Sequence, residues 1–168
     1  DGSRRTVIPN PEPMYDSFGK LVGAVNTLID ITERKSEEER MARFEAIIQS
    51  SEDVIISKTL NGIVTSWNPA AERLYGYTSE EMIGQPISRI IPADRIDDEN
   101  IILENIRKGK KVESFETKRV TKDGRLLDMS LTISPIKNAK GDIIGASKIG
   151  HDITRQKQLH EALRASEE

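Results

Sequence analysis

The sequence predicts an α+β fold: a five-stranded antiparallel sheet with helices packed on one face, flanked by a linker helix at either end. Three observations predict it. Stretches of helical and strand period follow one another in the order helix, two strands, short helices, a longer helix, three strands, helix. The last three strands are separated by Lys122-Asp123-Gly124 and by Asn138-Ala139-Lys140-Gly141, both turn-forming. In the middle one, Leu127, Met129, Leu131 and Ile133 alternate with Asp128, Ser130 and Thr132, so one sheet face is buried and the other partly solvated.

In chain order, residues 1–32 read as two strands, around 3–8 and 22–31, joined by a Pro-rich and Gly-containing turn region. ERKSEEERMARFEAIIQSS follows as a linker helix, placed at 34–48. Met41, Phe44, Ile47 and Ile48 recur at i, i+3, i+6 and i+7, opposite Glu37, Glu38, Arg40 and Glu45. That stripe exceeds what one sheet edge needs to cover it, which predicts a homodimer through these four residues. DVIISKTLNGIVTSWN has two β-branched runs around Asn61-Gly62, a hairpin signal. A short helix starts at Pro69 with Asn68 as its cap, and another turn starts at Thr78 or Ser79 with Glu80 and Glu81 near its positive end. ADRIDDENIILENIRKGK is a longer helix ending at Gly109. Strands are expected at 113–121, 125–136 and 143–153, and an exit helix at 156–168.

An internal repeat organises the chain. GKLVGAVNTLIDITERK, at 19–35, matches GDIIGASKIGHDITRQK, at 141–157, with one offset of 122. Gly19, Gly23, Asp30, Ile31, Thr32 and Lys35 fall on Gly141, Gly145, Asp152, Ile153, Thr154 and Lys157. The same offset pairs Asp1 and Gly2 with Asp123 and Gly124, and Pro13 with Pro135. Two tandem domains are implied, with 1–33 the closing strand pair of the first and 49–155 the complete second.

Composition narrows the chemistry. A net charge of −3 over 168 residues is too mild to point to nucleic acid or an anionic membrane. Without any cysteine there is no disulfide, thiolate metal site, cysteine nucleophile or cysteinyl flavin adduct. No apolar run approaches the roughly 18 residues of a membrane span, and the N-terminus lacks the apolar core of a signal peptide. The segment therefore reads as part of a cytoplasmic protein without membrane contact. No Gly-rich phosphate loop, GxSxG elbow or HExxH helix occurs, so the expectation is a regulatory module and not an enzyme.

DVIISKTLNGIVTSWNPAAERLYGYTSEEMIGQPI, the TKDG turn, LTISPIKNAKGDIIG and the closing Asp152-Ile153-Thr154 together resemble the PAS/PAC (S-box) family over about residues 45–155. The N-terminal piece ends in the same triplet, Asp30-Ile31-Thr32. The resemblance implies a PAS fold that senses a small molecule or partner and sits upstream of a histidine kinase or diguanylate cyclase. It also implies signal output through the helix after the triplet and dimerisation through the helix before the first strand. LRASEE at the end resembles the lead-in to another such domain, which suggests an array.

Each candidate site has a plain reading beside it. Asp152 and Thr154, with Asp30 and Thr32 as counterparts, mark signal coupling. Thr154 is expected to cap the exit helix and Asp152 to pair with an Arg or Lys. A ligand pocket between sheet and helices would be lined by Ile55, Ile102 and Leu131, with Trp67 either a packing residue or the wall of a flavin site. The resemblance places a haem ligand in the longer helix, which has no His, so haem binding is not expected. His151 and His160 read as surface residues. His160-Glu161 lacks the proline that completes a phosphoacceptor motif. Asp94, Asp97, Asp98, Glu99 and Glu104 read as a solvated acidic helix face and not a metal site. Non-covalent flavin and an unidentified small molecule stay open as ligands, against a ligand-free relay that only dimerises.

Overall fold

Strand alternation sets the layers of the complete domain, and a computed structural model describing residues 4–167 shows them directly. Strands β3 (Val54–Thr59), β4 (Val64–Trp67), β5 (Val112–Val120), β6 (Leu126–Lys137) and β7 (Ile143–Asp152) form one antiparallel sheet in the order β4-β3-β7-β6-β5. Two further strands, β1 (Val7–Tyr15) and β2 (Leu21–Asp30), make a separate two-stranded sheet. The chain divides into two compact units, one reaching to Ile47 and the other starting at Ile48.

In the second unit the inner sheet face carries Val54, Ile56, Val64, Trp67, Leu127, Met129, Leu131, Ile133 and Ala146, all buried. Helices α2 (Pro69–Tyr75), α3 (Ser79–Met82) and α4 (Ile96–Arg107) cover it, with a 3-10 turn at Ile87–Ile90 between them. They contribute Ala71, Tyr75, Met82, Ile87, Ile90, Ile102 and Ile106 to the same cluster. Burying one aliphatic side chain of this size contributes about 2–3 kcal/mol. The local signals act as read: Asn68 Oδ1 accepts from Ala71 N at 3.0 Å and caps α2. Thr78 and Glu81 form a reciprocal capping box on α3. Gly62 turns the β3–β4 hairpin at φ 78°, and Gly109 closes α4 at φ 74°.

The repeat of 122 holds bond for bond in the backbone. Val7 pairs with Asp30 as Met129 pairs with Asp152, and Pro13 with Ala24 as Pro135 with Ala146. Both ladders slip at equivalent places, Met14/Tyr15 and Ile136/Lys137. Asp16 Oδ1 accepts from Phe18 N and Lys20 N just as Asn138 Oδ1 accepts from Lys140 N and Asp142 N, all at 2.9 Å. Ile31 N donates to Thr6 O, and Ile153 N to Asp128 O. The equivalences at Asp1, Gly2 and Ser3 lie outside the described residues.

One expectation is corrected here. The first strand, expected around 3–8, runs instead over Val7–Tyr15, so the Pro-rich segment 9–15, read as turn, is part of strand β1, and the turn proper is the short Asp16–Lys20 loop. Because Ile31 donates to Thr6, even positions of β1 face β2. Pro9, Pro11 and Pro13 sit at odd positions and direct their nitrogens to the opposite edge, so pairing with β2 loses no donor.

One glycine is needed for close approach. A Cβ on Gly145 would overlap the carbonyl oxygen of Lys58 on the neighbouring strand β3. A Cβ on its counterpart Gly23 would meet no described atom within 4 Å beyond its chain neighbours. Helix α1 (Thr32–Ser50) is longer than the 34–48 expected, and α5 (Thr154–Glu167) begins two residues earlier than 156.

Candidate functional site

Three of the four predicted pocket residues meet in the interior. Ile102 is 1% exposed, Leu131 is fully buried and Trp67 packs beside them in one cluster with Ile56. The Trp67 ring lies 5.5 Å from that of Tyr75 at a tilt of 41°, and its Nε1 donates to Tyr77 O at 3.0 Å. Ile55 does not join them. Period-2 alternation turns it to the other face of β3, opposite Ile149, while Val54, Ile56 and Lys58 point inward. Asn68 does more than cap α2: its amide also donates to Asp53 O at 2.9 Å and its Oδ1 accepts from Ile55 N at 3.0 Å.

The same inner face carries charge. Lys58 on β3, Arg119 on β5 and Lys148 on β7 are each no more than 2% exposed. Lys58 Nζ pairs with the Glu99 carboxylate, which descends from α4. Glu99 is thus a buried ion-pair partner, which corrects its reading as part of a solvated face. Asp98 accepts from Thr117 Oγ1 at 2.5 Å. Arg119 Nη1 donates to Lys118 O at 2.7 Å and to Thr117 Oγ1 at 3.2 Å, but its buried Nε has no partner. The fully buried Tyr75 hydroxyl has none either. No hydrogen bond or ion pair joins the Lys148 ammonium to a described residue.

Electrostatics follow from burial. Loss of water pushes Lys148 well below its ordinary value, and the Arg119 and Lys58 charges push the same way, with Glu99 opposing. Burial also lowers Lys58, again opposed by Glu99, and lowers Arg119. It raises Tyr75 beyond the usual phenol range. The signal for these cations was present in the sequence. Lys58 continues the inward series Val54, Ile56, and Lys148 stands between inward Ala146 and Gly150.

The second feature is the junction of sheet and exit helix. Thr154 Oγ1 accepts from Asp128 N at 2.9 Å, so it ties α5 to β6 and does not cap the helix as expected. Asp152 Oδ1 accepts from Thr154 N at 2.9 Å. The expected basic partner of Asp152 belongs instead to Asp128, which Lys118 meets at 3.1 Å and Lys157 at 3.6 Å. Lys157 also reaches Glu116 at 2.7 Å. In the first unit Thr6 N donates to Thr32 Oγ1 at 2.8 Å and Thr32 N to Asp30 Oδ1 at 3.0 Å, the same two bonds. There Asp30 does hold a cation, Arg5, at 3.1 Å, where the second unit has Leu127 at the equivalent position. His151 Nδ1 faces Asp53 at 2.8 Å, and His151 and His160 are both exposed. On α1, Met41, Phe44, Ile47 and Ile48 are exposed.

Among the described residues no helix is long and apolar enough to cross a membrane, and no group of three or more His, Asp or Glu is placed to hold a metal ion. A family described as PAS fold matches residues 42–153. The signal transduction histidine-protein kinase AtoS of Escherichia coli is 32% identical over 121 residues, 72% of this chain but 19% of that protein. The probable diguanylate cyclase DgcE of the same organism is 24% identical over 148 residues, 84% of this chain and 13% of its own length. The crystal structure of a PAS domain from Colwellia psychrerythraea superposes with a TM-score of 0.63 at 27% identity, covering 69% of this chain and 98% of that one. The chain spans about a fifth or less of the length of these curated relatives.

Proposed function

This chain belongs to the PAS family, and on that footing we propose that it is a sensory module whose complete domain binds a small ligand between sheet and helices. Its state passes through α5 to a downstream kinase or cyclase of the same protein. The observation that carries this reading is the junction: Thr154 and Lys157 fasten the first turn of α5 to β6 and β5, the strands that frame the buried polar cluster. A shift of those strands therefore moves the root of the helix. We also propose that residues up to 33 close a preceding domain of the same family, that the working form is a homodimer joined along Met41, Phe44, Ile47 and Ile48, and that the location is cytoplasmic.

A second reading is a relay without ligand, which dimerises and transmits torque. The close packing of Ile56, Ile102 and Leu131 favours it, since these leave no exposed interior surface at the predicted pocket. Absorbance of the purified protein and mass spectrometry of its denatured extract separate the two. A stoichiometric small molecule supports the sensor. An empty extract, with no stabilisation by any added metabolite, leaves the relay.

A further inference from the structure

In the complete domain β6 and β7 have a neighbour on either side, β5 beside β6 and β3 beside β7. Among the described residues their counterparts β1 and β2 pair only with each other. The two outer edges of this strand pair differ in what they can accept.

On β2 the edge is built for a neighbour. Neither Gly23 nor its counterpart Gly145 has a positive φ, so the backbone does not require glycine at either place. Glycine inside a strand weakens it and marks the close approach of another backbone. At Gly145 that backbone is the Lys58 carbonyl of β3, whereas a Cβ on Gly23 would meet nothing described. Ala24, Asn26 and Leu28 correspond to Ala146, Lys148 and Gly150, which pair with Lys58, Ile56 and Val54. Odd positions of β2 face β1, so the amides of these three point to the open edge, uninterrupted by proline.

On β1 the edge is closed. The odd positions of β6 face β5, with Leu131 opposite Phe115 and Ile133 opposite Val112. Their counterparts are Pro9 and Pro11, which have no N–H for a ladder. Pro13 matches Pro135, which already lies beyond the paired part of β5 and marks no difference. Of the odd positions from 7 to 13, Val7 alone keeps a donor.

Resting on the reading of residues up to 33 as the close of a preceding domain, we propose that this pair takes one further strand and no second. The strand runs antiparallel along β2, passes close over Gly23, and comes from residues earlier in the same protein, as β3 comes to β7. Nothing pairs along β1, so β1 is the border of the preceding sheet where the complete domain has β5. The two tandem sheets then differ in their last strand.

The test is hydrogen exchange resolved at single amides, comparing the full-length natural protein with the 168-residue chain. Ala24, Asn26 and Leu28 should exchange about a hundredfold or more slower in the full-length protein, while Val7 exchanges equally fast in both. Gly23→Ala should speed those three amides about tenfold or more in the full-length protein and change nothing in the 168-residue chain. Slow exchange at Val7 in the full-length protein reveals a strand along β1 and overturns the border assignment. If the odd positions of β2 slow but Ala24, Asn26 and Leu28 do not, or if Gly23→Ala is silent, the strand along β2 is refuted and the preceding domain stands. Protection of these three amides in the 168-residue chain, rising with concentration, assigns the edge to a second copy and overturns the proposal. If no amide from 7 to 30 is slower in the full-length protein, the preceding domain itself falls and takes the proposal with it.

Discussion

At Gly145 a single methyl group separates two outcomes. Gly145→Ala drives a Cβ into the Lys58 carbonyl and should cost about 1–3 kcal/mol in urea denaturation. Gly23→Ala, at the repeated position, should leave the midpoint nearly unchanged, because nothing described crowds it. The buried lysines make a second prediction. Lys148 and Lys58 ionise below the 10.5 of a free lysine. Between the folded and unfolded values the unfolded chain holds the proton that the folded one lacks, so stability climbs with pH across that window. Tyr75 is shifted upward from 10.0, so its contribution is complete below that value and fades above it. The urea midpoint should rise from neutral pH towards about 10 and then turn over; Lys148→Met should flatten the rise, and a flat profile in the parent would refute the assignment. These lysines escaped the sequence reading because Lys in a strand is ordinarily solvated; only the inward parity of Lys58 with Val54 and Ile56 marks it. Ile55 was misplaced for the same reason in reverse, its apolar nature outweighing its parity.

Among elements, strands β6 and β7 and the caps of α2 and α3 were legible because each rests on a local rule: alternation, an Asn or Thr at the start, a Gly at the end. The extent of β1 through Pro9, Pro11 and Pro13 was not, because proline ordinarily breaks strands and only knowledge of the partner shows which edge it faces. The role of the Asp-Ile-Thr triplet was half legible. Its place at the strand–helix boundary could be read, but its partner, Asp128, lies 26 residues away in sequence. Thr154→Val should cost about 1 kcal/mol and should accelerate hydrogen exchange in the first turn of α5 while sparing β3; uniform exchange would argue against a local tie. On α1, Phe44→Glu places a charge in the exposed apolar stripe, and light scattering should show a dimer in the parent and a monomer in the variant. A parent that is monomeric at all concentrations ends the dimer proposal.

For the chain as a whole, the offset of 122 recurs in sequence and in strand register, with the same triplet ending both strand pairs. A lone two-stranded sheet is marginal in water, and β1 and β2 expose Val25, Leu28 and Ile29. Limited proteolysis should therefore cut within 7–30 well before it enters the domain from Ile48 onward, as peptide mapping would reveal. The three prolines of β1 bear on what happens to such a pair at high concentration. A strand from another molecule approaching that margin would find three successive sites with no hydrogen to offer, each spaced to match its own carbonyls. Fibril growth by templated addition is frustrated there before it starts, so the segment can wait for its proper neighbours without recruiting improper ones.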